Sequence, residues 1–433
     1  MATPLFLECL ECGHRQAFRP LTPTLCEACP SAWVEAHYDY AALKQALARG
    51  LPDRPFDLWR YHEILPLASP PNPALCAGGT PLRRSHRYAQ SVGLARLYIK
   101  DERHAPTQTF KDRQAAVSVA ALCDAGVRET VIASTGNAAV AYAAACAQTG
   151  ITLWTFMPDC AAPAKLHAAA LFGARVVKVH ATYDQTKQLA AEFARRRGLT
   201  IERGTTSLTS RESMKTIAYE IVEQLGWRAP DWYIQAVSGG LGPLGVYHGF
   251  QELHAMGVID RVPALGVVQA EGCAPMVRAF KAGRSVAEPV ISRTSIAILG
   301  TGDPGKTYTY VWTLLQHFGG TMECVSDAEA RAALQTLARA DGMAVEPATA
   351  VAFAGLQKMI QQDQIKPDAT VVVNCSGNSL PTERPAPDDA TQVELRLDGD
   401  QAGAPQAHWQ TALDRLDQIV PRGIAAARGN TAG

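Results

Sequence analysis

Lys111 lies in "APTQTFKDRQ" (Ala105 to Gln114), where a polar, turn-prone run gives way to the apolar helical pattern "AAVSVAALCDAG". The positive end of a helix disfavours a cation, and a lone lysine at such a place is ordinarily a solvated surface group. Three other stretches bear on whether this one is an exception. "STGNAAV" (Ser134 to Val140) follows an apolar run. Ser134 and Thr135 could simply cap the next helix. With Gly136 and Asn137 they also offer hydroxyls, helix-start N–H groups and an amide, a set that can hold a carboxylate and donate to a phenolate-type oxygen. "SGGLGPLG" (Ser238 to Gly245) contains G-x-G-x-x-G at Gly240, Gly242 and Gly245, with Pro243 suited to a first helical turn. Glycines let backbone N–H groups approach an anion at a helix N-terminus, so this loop reads as a phosphate cradle rather than only a tight turn. "CSGNS" (Cys375 to Ser379) puts Ser376 after the apolar "TVVVN", where a serine is ordinarily a turn residue.

A different chemistry is written at the start of the chain. Cys9, Cys12, Cys26 and Cys29 form C-x2-C-x13-C-x2-C. Two such pairs match a tetrahedral structural zinc site, and Gly13 lets the first knuckle turn. The competing reading is four free thiols. The segment is neither notably basic nor rich in aromatics, so it does not read as a nucleic-acid binder. The expectation is a structural zinc remote from catalysis.

The elements that must position these residues follow a regular alternation. Strands are expected at "RLYI", "TVIAS", "ITLWTFM", "RVVKVH", "DWYIQAV", "ALGVVQA" and "TVVVN", with helical runs between them such as "NAAVAYAAACAQTG", "PAKLHAAALFG", "QTKQLAAEFARRRG" and "SMKTIAYEIVEQLG". Strands this apolar are buried on both faces, which implies a parallel sheet covered by helices. Ligands of such doubly wound α/β folds sit beyond the carboxyl ends of the strands, and the loops singled out above lie there. After Pro381 the chain turns rich in Pro, Asp, Ala and Gly; "HWQTALDRLDQIV" could make one helix, and the final "ARGNTAG" reads as disordered.

The 433 residues suggest two or three domains at roughly 150 each. Lys+Arg and Asp+Glu balance at 41 each, so there is no global electrostatic footprint for nucleic acid or an anionic membrane. No signal peptide and no run of about 18 apolar residues is read. Seven cysteines stand singly in apolar segments, as expected of buried thiols in a reducing cytosol. A homodimer is compatible with this composition.

Taken together, these stretches resemble the fold type II pyridoxal-phosphate enzymes, and within them the threonine synthase family. "IKDERHAPTQTFKDR" is similar to that family's K-D-E-x-x-N-P-T-G-S-F-K-D-R segment, "MKTIAYEIVEQLG" to its K-T-x-A-Y-E-I helix, and "QAEGCAP", "EPATAVAFAGL" and "LWRYHEILP" also match its pattern. The likeness runs from about residue 5 to 382, and some members carry an N-terminal zinc ribbon. It implies two doubly wound α/β domains: a ribbon at 1–35, a large cofactor-binding domain at 36–125 and 201–385, a small domain at 126–200, and a tail at 386–433.

The resemblance makes Lys111 the Schiff-base lysine, which needs a neutral amine that desolvation can supply. It assigns Asn137 to the cofactor's ring oxygen, and Ser134, Thr135 and Gly136 to the substrate carboxylate. Ser238, Gly239, Gly240, Leu241 and Gly242 would cradle the cofactor phosphate. Ser376 would meet the pyridine nitrogen, where a neutral hydroxyl moderates the electron sink. The implied reaction converts O-phospho-L-homoserine and water to L-threonine and phosphate.

The chain departs from the family at Gln108 and Gln114, where glycines are usual, and at "SGGLG", where G-N-A-G-N is common. "ILGTGDPGKTY" replaces A-I-R-I-G-N-P and lacks its arginine. Candidate cations for the substrate phosphate are Arg113, Arg293 and Lys306, the last in a Gly-bounded loop suited to a lid. Two other chemistries stay open: β-replacement on O-phosphoserine or activated serine, as in cysteate or cysteine synthases, and a nicotinamide-dependent dehydrogenase using the glycine loop. The second fits less well, because Glu271 is too far along and Asp260 lies between elements for the ribose-binding acid. A zinc-ribbon binding protein with a degenerate catalytic body is a further alternative.

Overall fold

The computed structural model describes residues 4–20, 24–69, 72–379 and 392–396, together with 410, 413, 414 and 416. Strands β1 (Phe6–Cys9), β2 (Arg15–Gln16) and β3 (Val34–His37) form a small antiparallel sheet in the order β2-β1-β3. This N-terminal unit runs a little past the expected boundary at 35. Helix α1 (Tyr40–Gly50) follows, capped by the Asp39 carboxylate.

Next come β4 (Leu82–Arg84), α2 (Arg87–Ser91), β5 (Arg96–Asp101) and α3 (Lys111–Asp124). The chain then builds a second α/β unit from β6 (Glu129–Ala133), α4 (Asn137–Thr149), β7 (Thr152–Pro158), α5 (Pro163–Leu171), β8 (Arg175–His180), α6 (Tyr183–Arg197) and β9 (Thr200–Glu202). It returns through α7 (Leu208–Gln224), β10 (Trp232–Ala236), α8 (Leu241–Ala255), β11 (Ala264–Ala270), α9 (Pro275–Lys281), α10 (Lys306–Phe318), β12 (Gly320–Val325), α11 (Asp327–Asp341), α12 (Pro347–Gln361) and β13 (Thr370–Cys375).

The larger sheet has the order β12-β11-β10-β13-β5-β4, parallel except for the antiparallel edge strand β4. The smaller sheet is wholly parallel, β14-β8-β7-β6-β9, where β14 is Gln392–Arg396. Both sheets are covered by helices and their central strands are buried on both faces, which is why those strands read as continuous apolar runs.

Two expectations change. The stretch 200–202 belongs to the smaller sheet, and the C-terminal region supplies a fifth strand to it rather than a helix alone. Of the expected helix at 408–420, Leu413, Asp414 and Leu416 are helical, with both leucines buried; its other residues except Gln410 lie outside the described ones, as does "ARGNTAG". All eleven cysteines are unbridged, but Cys76, Cys123 and Cys160 are exposed rather than buried. No helix among the described residues is long and apolar enough to cross a membrane.

Candidate active site

A cleft of about 730 Å³ opens where the carboxyl ends of strands from both sheets meet. Its lining includes Lys111, Ser134, Thr135, Asn137, Ser238, Gly239, Gly240, Leu241, Gly242 and Ser376. Four stretches far apart in the chain therefore converge. One link is visible in the backbone: Phe110 N–H donates to Ser376 O (3.1 Å), and Thr109 bridges Gly377. The mouth of α3 is thus laced to the end of β13, which brings Lys111 and Ser376 to one wall.

The turn before α3 is held by Asp112, whose carboxylate accepts from Thr107 N–H (2.9 Å) and the Thr107 hydroxyl (2.7 Å). Within it Gln108 has φ 61°, a left-handed backbone that costs a side-chain-bearing residue roughly 1–2 kcal/mol. Its amide oxygen accepts from Asn378 Nδ2 (2.6 Å), a bond a glycine would lack. Lys111 Nζ donates to Gln114 Oε1 (3.2 Å) and lies 4.7 Å from the Phe110 ring centroid. Burial brings its amine down to about 8, against the opposing pull of the Glu202 and Glu346 carboxylates. Both residues that depart from the family's glycines therefore make contacts: Gln108 with the late loop, Gln114 with the lysine itself.

Ser134 Oγ accepts from Gly136 N–H and Ala139 N–H, each at 3.1 Å. The capping reading of that turn holds, and the same turn leaves Ser134 and Thr135 on the cleft. Gly136 shapes the turn and is not among the lining residues. The cradle is the start of α8. Gly240 has φ 86°, and a Cβ there would stand 2.8 Å from Thr307 Cγ2; a Cβ on Gly242 would stand 2.3 Å from Gln235 Nε2. The left-handed backbone at Gly240 requires glycine, and a side chain at Gly242 would have to displace the buried Gln235 amide. Ser238 Oγ shares a 2.5 Å hydrogen bond with Thr301 Oγ1.

Two carboxylates in the cleft escape a reading by motif. Glu346, just before α12, accepts from Asn137 Nδ2 (2.8 Å) and from Ser376 Oγ (2.6 Å), so it joins two residues expected to face a cofactor ring. Glu202 accepts from Ser210 Oγ and Gly204 N–H, both at 2.8 Å, and burial still pushes its carboxyl upward. Glu346 lies in "EPATA", where an acid before a proline reads as a helix start; Glu202 ends a short strand and carries no signal.

Arg113 lies outside the cleft, which corrects its expected contact with substrate. It is fully buried, its guanidinium bonded to Glu102 (2.8 and 2.9 Å), Glu220 (2.5 and 2.8 Å), Thr216 and Thr80. Lys100 adds a bond to Glu220 (2.6 Å). Lys306 is corrected too: it is not a lining residue, and its amine pairs with Glu11 of the N-terminal unit. Arg293 is exposed and outside the lining. In that unit the sulfurs of Cys9, Cys12, Cys26 and Cys29 all lie within 4.8 Å of one another, a donor set that could hold a metal ion.

The residues present fit pyridoxal phosphate. Asn137 gives one N–H of its amide to Glu346 and has a second to donate, the glycine cradle ends in helix-start N–H groups, and Lys111 on the cleft wall is desolvated.

Residues 74–377 match the family described as pyridoxal-phosphate dependent enzyme. The span includes the glycine loop, which replaces the dinucleotide reading. The threonine synthase of Methanosarcina acetivorans is 31% identical over 90% of this chain and 96% of its own length. That of Methanocaldococcus jannaschii is 32% identical over 86% of this chain and 92% of its own. Among solved structures, threonine deaminase isoform 2 of Solanum lycopersicum superposes with a TM-score of 0.61 at 21% identity, covering 79% of this chain and 91% of that one. Maize serine racemase gives 0.61 at 20%, covering 78% and 94%. Those two likenesses speak to fold; the sequence relatives speak to family, and the chain belongs to the threonine synthase family of pyridoxal-phosphate dependent enzymes.

Proposed function

We propose that the cleft converts O-phospho-L-homoserine and water to L-threonine and phosphate, with phosphate leaving Cγ and water adding at Cβ. The observation that carries this reading is the likeness to threonine synthases over nearly the full length of both chains. Pyridoxal phosphate, bound through Lys111, supplies the withdrawal of electrons from the substrate's α carbon. The protein does the rest. Lys111 Nζ, with a pKa brought down to about 8, can take a proton and return it near neutral pH. Ser134, Thr135 and the Gly136 turn receive the substrate carboxylate. The backbone N–H groups from Ser238 to Gly242 hold the cofactor phosphate at the start of α8. Asn137 and Ser376 would hold the cofactor ring, and Glu346, accepting from both, would fix their orientation. Cys9, Cys12, Cys26 and Cys29 hold one structural zinc through four thiolates.

One observation favours a second reading, β-replacement on O-phosphoserine. The wall that carries an arginine in the family here offers Thr301, Asp303 and Pro304, and the cations lining the cleft besides Lys111 come from elsewhere: Lys187, paired with Asp184 (2.7 Å), and Arg203. Purified holoenzyme separates the two. Release of phosphate from phosphohomoserine with threonine formed, abolished in Lys111→Ala, is the expected result. Inertness toward phosphohomoserine with sulfite-dependent turnover of phosphoserine would move the protein to the second reading. Metal analysis after purification in reductant should find one zinc per chain, and its absence would remove the zinc assignment.

A further inference from the structure

The four-cysteine unit stands against the back of the phosphate cradle, separated from it by one helix. Glu11, on the knuckle between Cys9 and Cys12, accepts from Lys306 Nζ and from Tyr310 OH (3.3 Å), one turn apart on α10. Trp33, just before β3, packs on the Tyr310 ring at 4.7 Å between centroids. The adjacent face of the same helix turns to the active site. Thr307 Cγ2 and Val311 Cγ2 lie 2.8 and 3.8 Å from where a Cβ on Gly240 would stand, so the first turn of α10 is the floor under that glycine. Thr307 also donates to Thr205 (3.0 Å), a cleft residue. The loop leading into the helix is tied to the cradle through Thr301 and Ser238.

We infer that the N-terminal unit is a strut for the cofactor site: Trp33, Tyr310 and Glu11 are positioning residues that set α10, and through Thr307 and Thr301 the phosphate cradle. This helix lies between Gly305 and Gly319 and buries Thr307, Tyr308, Val311 and Leu315 against the body, while its opposite side is held, among the described residues, where it meets the N-terminal unit at Lys306 and Tyr310. The Trp33–Tyr310 pair supplies that contact and the Glu11 bonds set the helix register. The ion pair itself is exposed and weak; the ring contact is the stronger element. This inference rests on the cradle holding the cofactor phosphate and not on which substrate is used.

The test is equilibrium binding of pyridoxal phosphate to apoprotein, read by its visible absorbance, with no substrate present. Tyr310→Ala should weaken cofactor affinity by about threefold to tenfold, the fold-change of one well-packed aromatic contact. Metal content and circular dichroism should stay as in the wild type. Tyr310→Phe keeps the ring and should recover all but about twofold. Trp33→Ala should act like Tyr310→Ala, and the double variant should be no worse than either single one. In turnover, KM should rise in these variants while kcat stays within about twofold. A folded Tyr310→Ala protein with unchanged cofactor affinity overturns the inference, as do additive effects in the double variant. Should Trp33→Ala fail to fold, Tyr310→Ala against Tyr310→Phe decides alone: equal affinities of the two overturn it.

Discussion

The chemistry of this protein depends on the proton affinity of one nitrogen. Lys111 is half-buried on the cleft wall, its nearest polar partner is the neutral amide of Gln114, and desolvation outweighs the two carboxylates that would keep it charged. Only the neutral amine can attack the cofactor's aldehyde. Below a pKa of about 8 the neutral fraction falls tenfold per pH unit. The rate at which apoprotein takes up pyridoxal phosphate should therefore climb from pH 6 and level off above about 8. Stopped-flow absorbance would measure it; a flat profile, or one still climbing steeply at pH 10, would refute the desolvated amine. Lys111 was legible in the sequence because its neighbours on both sides belong to a specific motif. Arg113, two residues on, was misread for the same reason. A motif records which residues occur together, not which of them face the ligand. Arg113 points the other way around α3, into a sealed network with Glu102 and Glu220. Residues of the "KDE" and "KTIAYE" stretches thus meet in the core rather than at the substrate.

At the scale of elements, the alternation of apolar strands and alanine-rich helices was enough to place β5, β6, β7, β8, β10, β11 and β13, though not to divide them between two sheets. It was not enough for β1 to β3, β4, β9, β12 or β14, which are short or at an edge. A second buried network was equally invisible, because its members are scattered over β3, α7 and α8. His248 Nδ1–H donates to Glu212 Oε1 (3.0 Å), and its ring lies 3.5 Å from Glu35 and 3.8 Å from Glu252; Lys215 Nζ sits 2.6 Å from Glu212 and 2.9 Å from Glu252. Tyr219 OH completes the set on Glu252 (3.1 Å). Burial lowers the His248 pKa, but three carboxylates more than reverse this and raise it to about 9. Its folded-state pKa is thus above its unfolded one. Its stabilisation is fully present below the unfolded value of 6.5 and fades as pH rises through about 9. We expect unfolding free energy from urea titration to fall by up to about 3 kcal/mol across that window, and His248→Gln to flatten the fall. An equal slope in the variant would assign the pH dependence elsewhere.

For the molecule as a whole, the last part of the chain bears on the smaller sheet far more than its composition suggests. The Pro-, Asp- and Gly-rich stretch after residue 381 hides "QVELR", too short to stand out in a compositional reading. It runs parallel to β8 with Gln392 opposite Val176 and Arg396 opposite His180. Further on, Leu413 and Leu416 are completely buried beside Val131, Trp154, Phe193 and Val177, and Asp414 pairs with Arg196 (3.1 Å). A chain ending at residue 380 keeps every residue of the proposed cofactor site. It would nonetheless lose two buried leucines, at about 1.5–3 kcal/mol each, and would turn β8 into an open edge, a template for unwanted pairing. Because Ser134 and Thr135 are presented by the turn between β6 and α4 of that same unit, the loss should reach the substrate side of the cleft while sparing the cradle on the larger sheet. The truncated protein should therefore still bind pyridoxal phosphate, unfold some 3–6 kcal/mol more easily, and self-associate at concentrations where the full chain does not. Urea unfolding and sedimentation velocity on the two chains would measure both effects. An unchanged unfolding midpoint, with no added association, would mean that β14 and the two leucines lie on the sheet without supporting it.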